Sequence, residues 1–128
     1  MRILITGSRD WNSIADVFRL IETMIQIYNP PEVTIVHGAA PTGADHMAHQ
    51  WVEVASEIMP YTIIEEAHPA SWKEFGKAAG PIRNREMVDL GADLCLAFIR
   101  NNSKGATMTA KFAEEAGIKL YIVKVNDQ

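Results

Sequence analysis

The amino-acid sequence predicts an α/β fold, a single Rossmann-like three-layer sandwich on a mainly parallel five-stranded sheet of order 3-2-1-4-5. Three observations lead there. Short apolar runs, several of them continuous as strands buried on both faces are, alternate with longer segments whose apolar residues recur at helical spacing. Three of those runs exit into polar loops that carry glycine and then open a helix. No repeat, low-complexity stretch or linker interrupts the alternation, so residues 1–128 read as one domain.

The first strand covers residues 2–6, around Ile3-Leu4-Ile5. Asn12-Ser13 offers an N-cap, and Ile14, Val17, Phe18, Ile21 and Ile25 mark a helix running to about Tyr28, where Asn29-Pro30-Pro31 stops it. Val33–Val36 is the second strand. Ala44, Met47, Ala48, Trp51, Val52 and Ala55 form one face of a second helix that ends at Pro60. Tyr61–Ile64 is the third strand, with Glu65-Glu66 at its exit. Residues 67–81 are less regular: a loop, a short helix near Ser71–Phe75, then breaks at Gly76 and Gly80-Pro81. Pro81 suits a helix's first turn, and Gly91 stops that helix after Leu90. Leu94–Ile99 is the fourth strand. A last helix carries Met108, Phe112, Ala113 and Ala116 and ends at Gly117, before a fifth strand at Leu120–Val125.

The composition narrows the function. No stretch is long enough to span a membrane and no signal peptide is evident, so a cytoplasmic protein is expected. The one cysteine, Cys95, lies in an apolar run and reads as a buried small hydrophobe. A net charge of −4 argues against broad duplex DNA binding. Yet Arg9, Arg83, Arg85, Arg100 and Lys104 fall in or beside loops, a distribution that suits a small anionic ligand. Around the first helix, Ile21, Met24, Ile25, Ile27 and Tyr28 cover much of the circumference, which predicts a homodimer or higher homo-oligomer.

Parallel sheets bind ligands at the carboxyl ends of their strands, where strand order reverses. Here that point lies between strands one and four, so the expected site uses the loops Gly7–Trp11 and Arg100–Thr107. The first loop, Gly7-Ser8-Arg9-Asp10, lacks the GxGxxG pattern of dinucleotide enzymes, and no Walker-type GK[ST] occurs anywhere. In the other loop, Ser103, Lys104, Gly105 and Thr107 form a phosphate-type helix start, with Gly105 letting backbone approach a ligand and Thr107 offering its N–H and hydroxyl. Gly38-Ala39-Ala40-Pro41-Thr42-Gly43 is a third turn of this kind. Arg83, placed at a helix start, suits a bidentate grip on phosphate or carboxylate. Glu86 is a candidate base, although a first-turn glutamate also complements the helix dipole. Trp11 and Trp72 lie near the same edge and are candidates for stacking or packing. His37, Asp45, His46 and His49 invite a metal. Asp45 and His49 share a helix face at i,i+4, but His46 points elsewhere and no HExxH pattern exists, so no metal site is expected. Asp45 is better suited to a ribose hydroxyl or to capping its helix. No resident cofactor is called for, and Mg2+ would arrive only with a phosphate ligand.

Four segments in order, Thr6–Trp11, His37-Gly38-Ala39 with Gly43-Ala44-Asp45, Pro81–Met87 and Ser103–Thr107, resemble the YspA/YpsA-related branch of the SLOG superfamily. The resemblance spans nearly the whole chain and implies a Rossmann-like domain that binds nucleotides or nucleotide-derived signals. The superfamily includes the LOG phosphoribohydrolases, which release cytokinin bases from nucleotides, and the DNA-processing protein DprA. Carried over by position, Gly7, Ser8 and Arg9 line the first loop, and Gly38 and Asp45 face the ribose side. Arg83 stands where LOG enzymes have a catalytic arginine, and Gly105 and Thr107 match part of their phosphate turn. The chain departs from them at Ala110, where LOG enzymes carry a glutamate, and at Lys104-Gly105, where they carry two glycines. The leading expectation is therefore a nucleotide-binding sensor or sequestering protein. An enzyme that cleaves an N-glycosidic or phosphoribosyl bond, using Arg83 with Glu86 or Asp10, comes second. Single-stranded DNA binding comes third, since an acidic chain lacks the basic, aromatic-studded stripe it needs.

Overall fold

A computed structural model describes residues 1–127. Five strands, β1 (Arg2–Gly7), β2 (Glu32–His37), β3 (Thr62–Ala67), β4 (Leu94–Arg100) and β5 (Lys119–Val125), form one sheet of order β3-β2-β1-β4-β5. Every neighbouring pair is parallel. The sheet is the predicted Rossmann-like one, and its reason is visible in burial. Residues 3–6 of β1 and all but the last residue of β4 are buried, because central strands are covered on both faces. The edge strand β3 alternates instead, with Thr62 and Ile64 exposed.

Alternation sorts the core into two layers. Ile3 and Ile5 pack with Val17 and Ile21 of α1 (Ile14–Tyr28) and Ala48 and Trp51 of α2 (Gly43–Ile58). Leu4 and Cys95 point the other way, onto Met87 and Val88 of α4 (Ala79–Asp89) and Ala113 of α5 (Lys104–Glu115). Burial pushes the Cys95 thiol up to about 12, as an inert packing residue requires.

The caps fall where the residues allow. Ser13 accepts the Asp16 amide at 3.3 Å to start α1, and Asn29, in the left-handed region at φ 44°, closes it. Gly91 and Gly117, both at positive φ, follow α4 and α5. One boundary differs from expectation. After a short α3 (Trp72–Phe75), a 3₁₀ turn at Gly76–Ala78 feeds directly into α4, so Gly80 and Pro81 lie inside its first turn and break nothing. Proline fits there because the amide it lacks is one of those a helix start leaves unpaired. Arg83 is thus the fifth residue of α4 and not its opening one.

Trp11 is also a core residue. It is buried against Phe98, with ring centroids 5.4 Å apart, and its indole N–H donates to the Ser13 carbonyl at 3.0 Å. Around α1, Met24 and Ile25 are buried in the chain's own core, while Ile27 and Tyr28 are exposed. Among the described residues no helix is long and apolar enough to cross a membrane.

Candidate functional site

Because β1 lies between β2 and β4, the loops leaving β1 and β4 diverge at the carboxyl edge of the sheet. Between them is a cavity of about 520 Å³, a size typical of small-molecule sites. The β1 exit contributes Thr6, Gly7, Arg9 and Asp10 to its wall, and the β4 exit and α5 contribute Asn101, Ser103, Gly105 and Ala106. Arg83, Asn84 and Met87 line it from α4, with Trp72 at the rim.

The first loop reaches this position through close backbone packing. The Ser8 amide donates to the Phe98 carbonyl at 2.9 Å, and the Ser8 hydroxyl accepts the Arg100 amide at 2.8 Å. A Cβ on Gly7 would run into Ala44, and one on Gly43, at φ +73°, would run into the Ser8 carbonyl. Both glycines therefore allow three segments to meet at the sheet edge.

The cavity has a directional polarity. At the start of α5 the amides of Lys104, Gly105 and Ala106 have no intrahelical acceptor, and those of Gly105 and Ala106 belong to residues lining the cavity. Arg100 is occupied: its guanidinium holds Asp127 at 2.8 and 3.0 Å and donates to the Asp10 carbonyl at 2.9 Å. Arg9 forms no ion pair among the described residues and lies 5.5 Å from the Trp72 ring centre. Arg83 is buried, and its Nε donates to Asn84 at 2.7 Å. Its Nη1 donates to the carbonyls of Gly38 and His68, tying the exits of β2 and β3 together. Among the described residues its Nη2 has no partner. Burial pulls the Arg83 guanidinium down from its ordinary value, against the opposing pull of Asp45. Asp45 is buried beside it and accepts the Ala40 amide at 3.3 Å. Burial pushes its carboxyl up, opposed by that amide and by the nearby His37 and Arg83.

A sequence profile of the YspA, cpYpsA-related SLOG family matches residues 1–75. The chain is also 38% identical over 117 residues to the Gene 61 protein of Mycobacterium phage D29, covering 91% of each. The chain belongs to the YspA, cpYpsA-related SLOG family. No solved structure matches it.

Within this SLOG domain the sequence-predicted residues divide. Gly7, Arg9, Asp10, Asp45, Arg83, Ser103 and Gly105 line one cavity. Ser8 does not, since its hydroxyl is spent on Arg100. Gly38 is buried under Arg83 and Asp45, where a Cβ would lie 2.6 Å from the Arg83 Nη1, so its role is to admit those two side chains. Lys104 and Thr107 are exposed outside the cavity lining, and the Thr107 amide is already bonded to the Ser103 carbonyl at 3.0 Å. Glu86 is exposed away from the cavity. The N-terminus of α1 does not form the phosphate-type edge expected of all three loops, because α1 begins only at Ile14, beyond a capped loop; α2 opens at Gly43, with Ala40 and Asp45 on the cavity wall and the Ala44 amide on the Ser8 carbonyl at 3.4 Å. Asn84 and Asn101 also line the cavity, within segments the sequence pointed to but as residues it did not single out. Asn101 adopts φ 51°, a conformation asparagine tolerates, and the Asn101-Asn102 pair was the available signal.

Proposed function

We propose that this SLOG domain binds a nucleotide or nucleotide-derived small molecule as a sensor or sequestering protein, with the anionic group at the start of α5 and a flat ring toward Trp72. The observation that carries this reading is that the α5 start at Gly105 and Ala106, Arg9, which forms no ion pair among the described residues, and the buried Arg83 all line one cavity. Helix-start amides and guanidinium groups are the two standard partners of phosphate oxygens. Asn84 and Asn101 supply hydrogen bonds of both polarities, as a nucleobase or ribose needs. A cleft of about 520 Å³ also suits a small ligand better than a polynucleotide strand. The test is a panel of nucleotides and cyclic or sugar-modified derivatives, read by calorimetry and by thermal shift. Saturable binding of one class, weakened in Arg9→Ala, is expected; no binding by any member would overturn the reading.

Asp45 gives a second reading its footing. Hydrolysis of an N-glycosidic bond needs a carboxyl positioned for acid–base work. Glu86 does not line the cavity, but Asp10 and Asp45 do, and Asp45 has its carboxyl pushed up by burial. Ala110 offers nothing at the position where LOG enzymes carry their glutamate. Binding without turnover is therefore the expected outcome. Incubation with adenosine monophosphate, followed by chromatography for adenine and ribose phosphate, separates the two. Release that vanishes in Asp45→Asn would make the enzyme reading correct.

A further inference from the structure

On the far side of Asp45 a second cavity of about 480 Å³ opens beside α2, and three side chains from three elements meet in its wall. His37 ends β2, Glu65 lies on β3 and His49 projects from α2. Glu65 pairs with Ile35 in the sheet register, so His37, two residues further along β2, is on the same face as Glu65. Glu65 Oε2 lies 2.7 Å from His37 Nε2 and 2.7 Å from His49 Nδ1. One ligand atom from each residue falls within 4.8 Å of the others. We propose that His37, His49 and Glu65 hold a first-row divalent transition-metal ion, with a coordination position left open toward this second cavity.

Two imidazoles and one carboxylate are a donor set used for zinc and for related ions. Donors around such an ion stand about 3.3 Å apart, so the two Glu65 contacts lengthen by about half an ångström while the two histidine nitrogens, within 4.8 Å of one another, draw together. The supporting contact at His49 is in place. Its other nitrogen, Nε2, pairs with the Glu53 carboxylate one turn along α2, the arrangement that orients metal-bound histidines. At His37 the ion changes the proton's place. Without it, the Ala39 amide donates to Nδ1 at 3.0 Å, which puts the ring proton on Nε2, facing Glu65. An ion on Nε2 displaces that proton, the ring adopts the Nδ1–H form, and the Ala39 amide turns away. Ala39 is an exposed non-glycine residue at φ 58°, a conformation with strain to release.

The test uses the full chain after chelation, titrated with Zn2+ against a chromophoric chelator. One equivalent is expected to bind, at least tenfold more weakly in Glu65→Gln and His49→Gln. His68→Gln, on the opposite face of the sheet, should match wild type. Circular dichroism checks that each variant folds. Histidine nitrogen spectra of the wild-type chain decide independently of any variant: His37 should pass from the Nε2–H to the Nδ1–H form as Zn2+ is added. Failure of the folded protein to bind, equal binding by the Glu65 and His49 variants, or an unchanged His37 tautomer would each overturn the proposal.

Discussion

Arg83 and Arg9 both face the cavity, yet replacing each with alanine should produce different signatures. Arg83 is a buried strut: Nε holds Asn84, and Nη1 holds the backbone carbonyls of Gly38 and His68. Removing it strips hydrogen bonds from two strand exits and leaves a void beside Asp45. Hydrogen bonds to a charged donor contribute about 1.5–3 kcal/mol each. The freed carbonyls lie near a water-accessible cavity and are partly rehydrated, so a net loss of about 2–4 kcal/mol is expected. For a chain of this size that lowers Tm by roughly 10 °C. On the proposed reading, loss of the guanidinium should also weaken nucleotide binding by roughly tenfold or more. Arg9 is exposed and rests on Trp72. Arg9→Ala should weaken binding by about the same factor and move Tm by no more than about 4 °C, since exposed cation–π contacts are worth about 0.5–1 kcal/mol. Calorimetric titration and scanning calorimetry on the two variants make the comparison. Equal Tm shifts, or an Arg83 variant as stable as wild type, would refute the strut; binding unaffected by either variant would refute the anion site.

Other outcomes follow from single contacts. Glu66 accepts from Arg2 at 2.7 and 2.9 Å and from His68, which hold its carboxyl down at about 2. A lowered folded-state value means the contribution is full above the ordinary carboxylate range and is lost as pH falls from about 4.5 to about 2. Because the pair is about one-third exposed, about 1–2 kcal/mol is expected, and acid titration of Glu66→Gln should lack that part of the curve. Gly43→Ala should cost about 2 kcal/mol or more in urea, since it combines a positive φ with a clash on the Ser8 carbonyl. Leu4→Ala should cost about 2–5 kcal/mol by the same measure, being fully buried between β1 and α4. Self-association through α1 is expected to depend on Ile27, which is 64% exposed; light scattering at micromolar concentration should show a dimer in wild type and a monomer in Ile27→Lys, and a wild-type monomer would refute it.

The sheet was legible because its signal is local. Runs such as Leu94–Ile99 announce a strand buried on both faces without reference to the rest of the chain. The start of α4 was not, because Gly80-Pro81 carries a breaker's composition and only the preceding 3₁₀ turn shows that the chain is already helical there. At the site, topology predicted which loops converge, but not how each residue is used. Ser8 looks like a ligand hydroxyl until Arg100, 92 residues away, is seen to occupy it. Thr107 looks like a phosphate-facing residue because sequence does not reveal which amide is the first to be bonded inside a helix. Trp11 and Trp72 look alike in sequence, and only the pairing of β1 with β4, which sets Gly7 beside Phe98, buries one against that ring. Glu65 drew no attention as a partner for the histidines because His49 and His37 are 16 and 28 residues distant.

Glu65 and Glu66 show how one edge strand serves two environments. Adjacent on β3, they project to opposite faces of the sheet. Glu65 gathers His37 and His49 under α2; Glu66 gathers Arg2 and His68. The same strand exit then delivers the His68 carbonyl to Arg83, and the His68 amide to the His37 carbonyl at 2.9 Å. Arg83 is thereby fixed from three directions, by β2, by β3 and by its own helix, before any ligand arrives. Holding a guanidinium that way removes most of the conformational entropy its long side chain would otherwise lose on binding an anion. Arg9, held only by a ring at 5.5 Å, retains that freedom. On the proposed reading the two arginines divide the work, a buried preorganised charge and an exposed mobile one at the rim. A ligand that reaches only the rim should lose affinity in Arg9→Ala alone, whereas one that fills the cavity should lose it in both variants.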